Sequence, residues 1–100
     1  MTRYAYIYFM AGHGALIRET APRHTEYWHS LGLRGYTGGP FADRSGGLIT
    51  FLAEDDEAAR GAVDGDPFTE VGVIGESWLK VWQPVGTDEP LAPELQMTAR

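Results

Sequence analysis

Arg3-Tyr-Ala-Tyr-Ile-Tyr-Phe-Met10 sets Tyr4, Tyr6 and Tyr8 against Ala5, Ile7 and Phe9 in strict alternation. Period two in residues of high strand propensity predicts a β-strand, and here both of its faces are apolar. A strand with one wet face would carry polar side chains there. This one has to be covered on both sides.

Outward from it, Gly12-His13-Gly14 breaks the strand. From about Thr20 the period changes: His24, Tyr27, Trp28 and Leu31 fall at i, i+3, i+4 and i+7, one face of a helix. Thr20 is the expected N-cap, Pro22 is tolerated in a first turn, and Gly32 stops the helix. Leu33 to Thr37 is expected as a second strand, closed by Gly38-Gly39-Pro40. Asp43-Arg44-Ser45-Gly46-Gly47 has hairpin-turn composition, and Leu48 to Ala53 follows as a third strand. Asp55-Asp56-Glu57 puts acids at a helix N-terminus, with Ala58, Ala59, Ala62 and Val63 as its apolar side. Gly65-Asp66-Pro67-Phe68 is expected to end that helix. Gly75 to Gln83 forms the last strand, with Trp78, Lys80 and Trp82 on one face and Ser77, Leu79 and Val81 on the other.

The order β-α-β-β-α-β predicts an α+β, ferredoxin-like domain over residues 1–84 with a four-stranded antiparallel sheet. Beyond Pro84 the composition shifts to Pro, Gly, Thr and acids, so 85–100 is expected to be an extended or disordered tail, or an arm lying on a partner. Two helices cover only one face of such a sheet. The apolar alternation therefore leaves an exposed patch that is unusual in a monomer. A second copy packed sheet to sheet, giving a homodimer in the form of a dimeric α/β barrel, resolves it. Lys80 is then expected at the barrel rim, with one of Val81 and Trp82 towards the helices and the other towards the partner.

The 100 residues hold one domain, and 43% hydrophobic against 22% charged is an ordinary globular balance. A formal charge of −6 argues against nucleic-acid and membrane-surface roles. With no cysteine, disulfides, thiolate nucleophiles and Cys-type zinc sites are excluded. No apolar run has the length of a membrane span, and no signal peptide opens the chain, so a cytoplasmic domain is expected.

Chemistry concentrates at few positions. His24 shares a helical stripe with Tyr27 and Trp28, where aliphatic side chains usually sit. By position alone, a half-buried histidine bonded to a backbone carbonyl is the commoner outcome. Asp66, held extended by the proline after it, is the natural acidic partner, with a plain helix-end acid as the alternative. Together they suggest an aspartate that orients an imidazole for general acid–base work. Asp43 is a second candidate partner, although a turn acid describes it equally well. His29 stands about 140° round the helix from His24, so the two cannot share a metal, and no metal or cofactor is expected. Gly12-x-Gly14 lacks the third glycine of a dinucleotide fingerprint. His13 there can reach a pocket mouth, and Gly38-Gly39-Pro40-Phe41 lets a ligand approach the backbone.

Arg23-His24, Gly38-Gly39-Pro40-Phe41 with Asp43, Gly46-Gly47, and Asp66-Pro67-Phe68 occur in an order that resembles the YciI-like (YCII-related) family, over about residues 3–84. The resemblance implies a dimeric α/β barrel whose cleft is built round a histidine/aspartate pair. By motif these are His24 and Asp66, with Asp43 in reserve. One kind of member eliminates HCl from a chlorinated hydroxyquinol, a step that a His/Asp pair could run without metal or organic cofactor. The resemblance thus implies elimination, isomerisation or cyclisation of an aromatic or polycyclic small molecule, with secondary metabolism as the setting by analogy. Tyr6, Tyr8, Trp28 and Phe68 are expected to line the cavity, and Arg23 or His13 to neutralise an enolate or phenolate at its mouth. A non-catalytic binding or accessory protein using the same pocket is the alternative.

Overall fold

The structure, a computed structural model, describes residues 1–86. The expected tail lies outside the described residues from 87 onwards. The chain runs β1 (Thr2–Met10), α1 (Gly14–Ser30), β2 (Thr37–Pro40), β3 (Gly46–Ala53), α2 (Asp56–Asp64), α3 (Pro67–Glu70) and β4 (Ile74–Val81). The strands form one sheet in the order β2-β3-β1-β4, with every neighbouring pair antiparallel. This is the ferredoxin-like α+β arrangement, with α3 as an added turn of helix. Among the described residues no helix is long and apolar enough to cross a membrane.

The register decides which face of β1 looks at the helices. Tyr4 pairs with Phe51 and Val81, Tyr6 with Ile49 and Leu79, and Tyr8 with Gly47 and Ser77. Directly paired residues share a face, so all of these point to the helices. Tyr4, Tyr6 and Tyr8 are buried there with Trp28, Phe51, Ile49, Val73 and Phe68. Ala59 on α2 is fully buried against the same cluster, the close approach that a small side chain permits. The opposite face carries Ala5, Ile7, Leu48, Trp78 and Lys80, and no helix among the described residues covers it. Phe9 packs on Phe41 and Trp78 there, and Leu48, Trp78 and Trp82 stay exposed.

Three local expectations are corrected. α1 starts at Gly14, not Thr20: His13, in the left-handed region at φ 49°, is its N-cap, and Pro22 lies inside the helix. Packing outweighs the proline, because Leu16, Ile17, Thr20 and Ala21 extend the stripe of His24, Tyr27 and Trp28 onto the core. The second strand is Thr37–Pro40 rather than Leu33–Thr37. Gly35 takes a left-handed φ of 64°, which ends the earlier stretch, and the glycines taken as its stop pair instead with β3. Asp66-Pro67 does not merely end α2. Proline at the first position, where its missing N–H costs nothing, opens α3.

Candidate active site

α1 and α3 bring the site together over β1. In α1, His24 and Trp28 are four residues apart and so lie one above the other on the face that meets the sheet. Asp66 is the N-cap of α3, and its Oδ1 accepts the Phe68 amide N–H at 2.9 Å. This cap turns the carboxylate inward towards α1 rather than out to solvent.

The carboxylate is completely buried, and every partner is a donor. Trp28 Nε1–H donates to Oδ2 at 2.9 Å, and His24 Nδ1 lies 2.9 and 3.0 Å from the two oxygens. A carboxylate only accepts, so Nδ1 carries the proton and the free lone pair of the neutral ring is on Nε2. Nε2 faces the Tyr8 hydroxyl at 3.4 Å, the outer limit of a hydrogen bond. The imidazole stacks on Phe68 at 4.2 Å and 22°, and Tyr8 meets it edge-on. Its side chain keeps 12% of its surface open. No buried side-chain polar atom among the described residues lacks a partner.

The Asp66 charge acts on the rings around it. Burial pushes the Tyr8 phenol far above its ordinary range, with the nearby Asp66 charge adding to the effect. Tyr6 is raised by burial first and by Asp66 second. Both hydroxyls are therefore donors near neutral pH, not bases.

The other expected residues divide. Tyr6 stacks on Tyr8 and on Trp28 and backs the site from within the core. Arg23, exposed beside His24, reaches Glu70 of α3 at 3.9 Å and stands on the rim. His13 lies at the far end of α1, about 16 Å along the axis from His24 at 1.5 Å per residue. Phe41 packs on Phe9, on the opposite face of the sheet. Asp43 accepts from the Ser45 amide and hydroxyl at 3.0 and 2.7 Å, which holds its carboxyl below the usual range. It shapes the β2–β3 turn, and the partner of His24 is Asp66. Sequence reading missed the indole N–H as a ligand of Asp66, although the spacing of four from His24 carried the signal.

Two hollows do not coincide with this cluster. They measure about 570 and 430 Å³ and share Phe41, Leu48, Thr50 and Trp82, so they adjoin on the helix-free face. Their lining includes the cations Arg3 and Lys80 but no histidine, aspartate or glutamate, so the acid–base constellation of His24 and Asp66 lies outside them.

The architecture and the site together define a ferredoxin-like α+β domain with a buried histidine–aspartate pair under its helices. The structure of 5-chloro-2-hydroxyhydroquinone dehydrochlorinase (TftG) from Burkholderia phenoliruptrix AC1100, in complex with 2,5-dihydroxybenzoquinone, is similar, with a TM-score of 0.68. The alignment covers 80% of this chain and 93% of that one at 22% identity, a likeness that shows the fold. No family model matches the chain, and no curated protein matches it.

Proposed function

We propose that the chain is a YciI-like, cofactor-independent enzyme of the lyase or isomerase type. In this reading it uses His24 and Asp66 for acid–base elimination, isomerisation or cyclisation of an aromatic or polycyclic small molecule. The observation that carries the reading is the imidazole itself: Asp66 clamps Nδ1–H while Nε2 is left without a strong partner. Nε2 accepts a proton from a substrate C–H or O–H, and the electron pair moves into the substrate, where it expels a leaving group or shifts a double bond. The charge on Asp66 compensates the imidazolium, which then returns the proton. Two points of similarity support the substrate class: the fold shared with the dehydrochlorinase, and the aromatic walls of Phe68, Tyr8 and Trp28. A cytoplasmic role in secondary metabolism is part of the same proposal. So is a homodimer in which a second copy covers the exposed Trp78, Trp82 and Leu48.

The alternative, a small-molecule-binding or accessory protein, draws on one observation: the hollows lie away from His24. Hydroquinones and hydroxyquinones in D₂O, with 5-chloro-2-hydroxyhydroquinone among them, separate the two readings through chloride release and loss of ring C–H signals. The enzyme reading expects turnover that His24→Gln lowers by about 10²–10⁴-fold, with the melting point little changed. Full turnover in a folded His24→Gln protein overturns it. Tight binding without chemical change supports the alternative.

A further inference from the structure

The Tyr8 hydroxyl occupies an unusual seat. It rises from the central strand, its side chain buried, and meets His24 Nε2 at 3.4 Å. Hydroxyl hydrogen bonds normally close to about 2.7–2.8 Å, so this contact is loose, and a ligand oxygen can take it over. Beneath the hydroxyl lies Gly47, where a Cβ would stand 2.4 Å from the phenol oxygen and 2.8 Å from the Gly39 carbonyl. Only glycine leaves room for the phenol there.

β2 edges that seat. Gly38 and Pro40 lie on the helix-facing side, opposite Ile49 and Gly47, and all four β2 residues are exposed. The Gly38 position is closely packed, a Cβ there lying 3.0 Å from Ile49 Cγ1 and 3.2 Å from the Tyr36 hydroxyl, and the Tyr36 ring stacks parallel to Trp28. Aromatic rings therefore surround Tyr8 and His24, and a flat molecule is the shape that stacks on them.

We propose that Tyr8 is a second proton-handling group of the site, whose hydroxyl leaves Nε2 for the substrate oxygen and holds the oxyanion formed as Nε2 takes the proton. The substrate class this assigns is a planar ring bearing an enolate- or phenolate-type oxygen next to the proton removed. The C–H or O–H bond breaks to Nε2, its electron pair delocalises onto that oxygen, and the phenol donates without losing its own proton. Burial and the Asp66 charge keep the phenol neutral, in agreement with a donor role. The inference rests on the acid–base reading of His24.

Tyr8→Phe removes one oxygen and keeps the ring that packs on Tyr6 and Phe68. The probe is 2,5-dihydroxybenzoquinone, titrated into the full chain and followed by visible absorbance, with imidazole ¹⁵N shifts recorded in parallel. Loss of one hydrogen bond to a charged oxygen is expected to weaken the probe about 10–100-fold, at an unchanged melting point. The same change moves the His24 Nε2 resonance in the free protein and leaves Nδ1 in place. Probe affinity within two-fold of wild type overturns the Tyr8 assignment. It leaves the base reading to stand or fall on His24→Gln turnover. Failure of the wild type to bind the probe at millimolar concentration also overturns it, because the site then does not accept a planar oxyanion.

Discussion

Replacing Asp66 by Asn changes the charge at the centre of the site while hardly changing its shape. The carboxylate serves three buried donors: the Phe68 amide, the Trp28 indole and His24 Nδ1–H. An amide offers one oxygen and one NH₂. With its oxygen in the Oδ1 place it keeps the Phe68 cap and turns the NH₂ against the indole N–H, 2.9 Å from the old Oδ2. Flipped, it keeps the indole and opposes the Phe68 amide, which loses the cap of α3. Either way one buried N–H is orphaned, at about 1–3 kcal/mol. The bonds that remain lose charge assistance, which roughly halves them. A sum of about 2–4 kcal/mol lowers the melting point of a 100-residue domain by roughly 8–32 °C, at about 4–8 °C per kcal/mol. Typical stabilities of about 5–15 kcal/mol leave such a variant folded at room temperature. The imidazolium formed on proton transfer also loses its counter-charge, although the amide oxygen in either place still accepts Nδ1–H, which lies 2.9 and 3.0 Å from the two positions. Thermal melts and the chloride or ring-exchange assay read the two effects together. A melting point within 2 °C of wild type, with turnover unchanged, would refute the reasoning.

Two further outcomes follow from the same contacts. The Tyr8 phenol is pushed above its ordinary 10.0 in the folded state, so its contribution to stability is intact below pH 10 and is lost as pH rises through the folded value; Tyr6 adds in the same direction. Urea melts between pH 8 and 12 are expected to show this decline and a shallower one in Tyr8→Phe; equal slopes would count against it. On the helix-free face, Trp82→Asp is expected to turn a dimer of twice the 11.0 kDa chain mass into monomers, by light scattering after size exclusion. A monomeric wild type at micromolar concentration would exclude the barrel. Val81 is a poor counterpart for unfolding the protomer: it lies on the helix-facing side but at the sheet edge, 56% exposed, so Val81→Asp is expected to cost little.

The parity of the strands was readable from sequence, but which parity faces the helices was not. Tyr4/Tyr6/Tyr8 and Ala5/Ile7/Phe9 are both apolar sets, and a period of two names two faces without telling them apart. That ambiguity is why Phe41 could be expected at the same cleft as Tyr8: only the pairing of Tyr8 with Gly47, and of Phe9 with Gly46, places them on opposite sides. His24 and Trp28 were legible as neighbours, because a spacing of four on a helix is nearly a contact map. The start of α1 was hidden because Gly14 and Pro22 are both helix-disfavouring residues locally. What overrides them is burial of Leu16, Ile17 and Thr20, a tertiary effect.

Asp66-Pro67-Phe68 ties the site to the fold more tightly than a lone acid would. A buried carboxylate is costly unless its lone pairs are met, and here the three partners come from three sources: the α3 backbone, an indole and the imidazole. Proline at the first position of α3 needs no N–H partner, so the cap is free to serve Phe68, whose ring in turn lies flat on the imidazole. The same three residues thus start a helix, bury a charge and orient an imidazole. The glycines across the sheet act in the complementary sense, because Gly47 leaves the space that the Tyr8 hydroxyl fills beside Nε2. The acid sits inside the core where water cannot screen it, and the ring nitrogen away from it faces the Tyr8 hydroxyl. A structural histidine would be satisfied by the first half of that arrangement alone. The second half, an Nε2 met only loosely by the Tyr8 phenol, is what the proposed proton transfer requires.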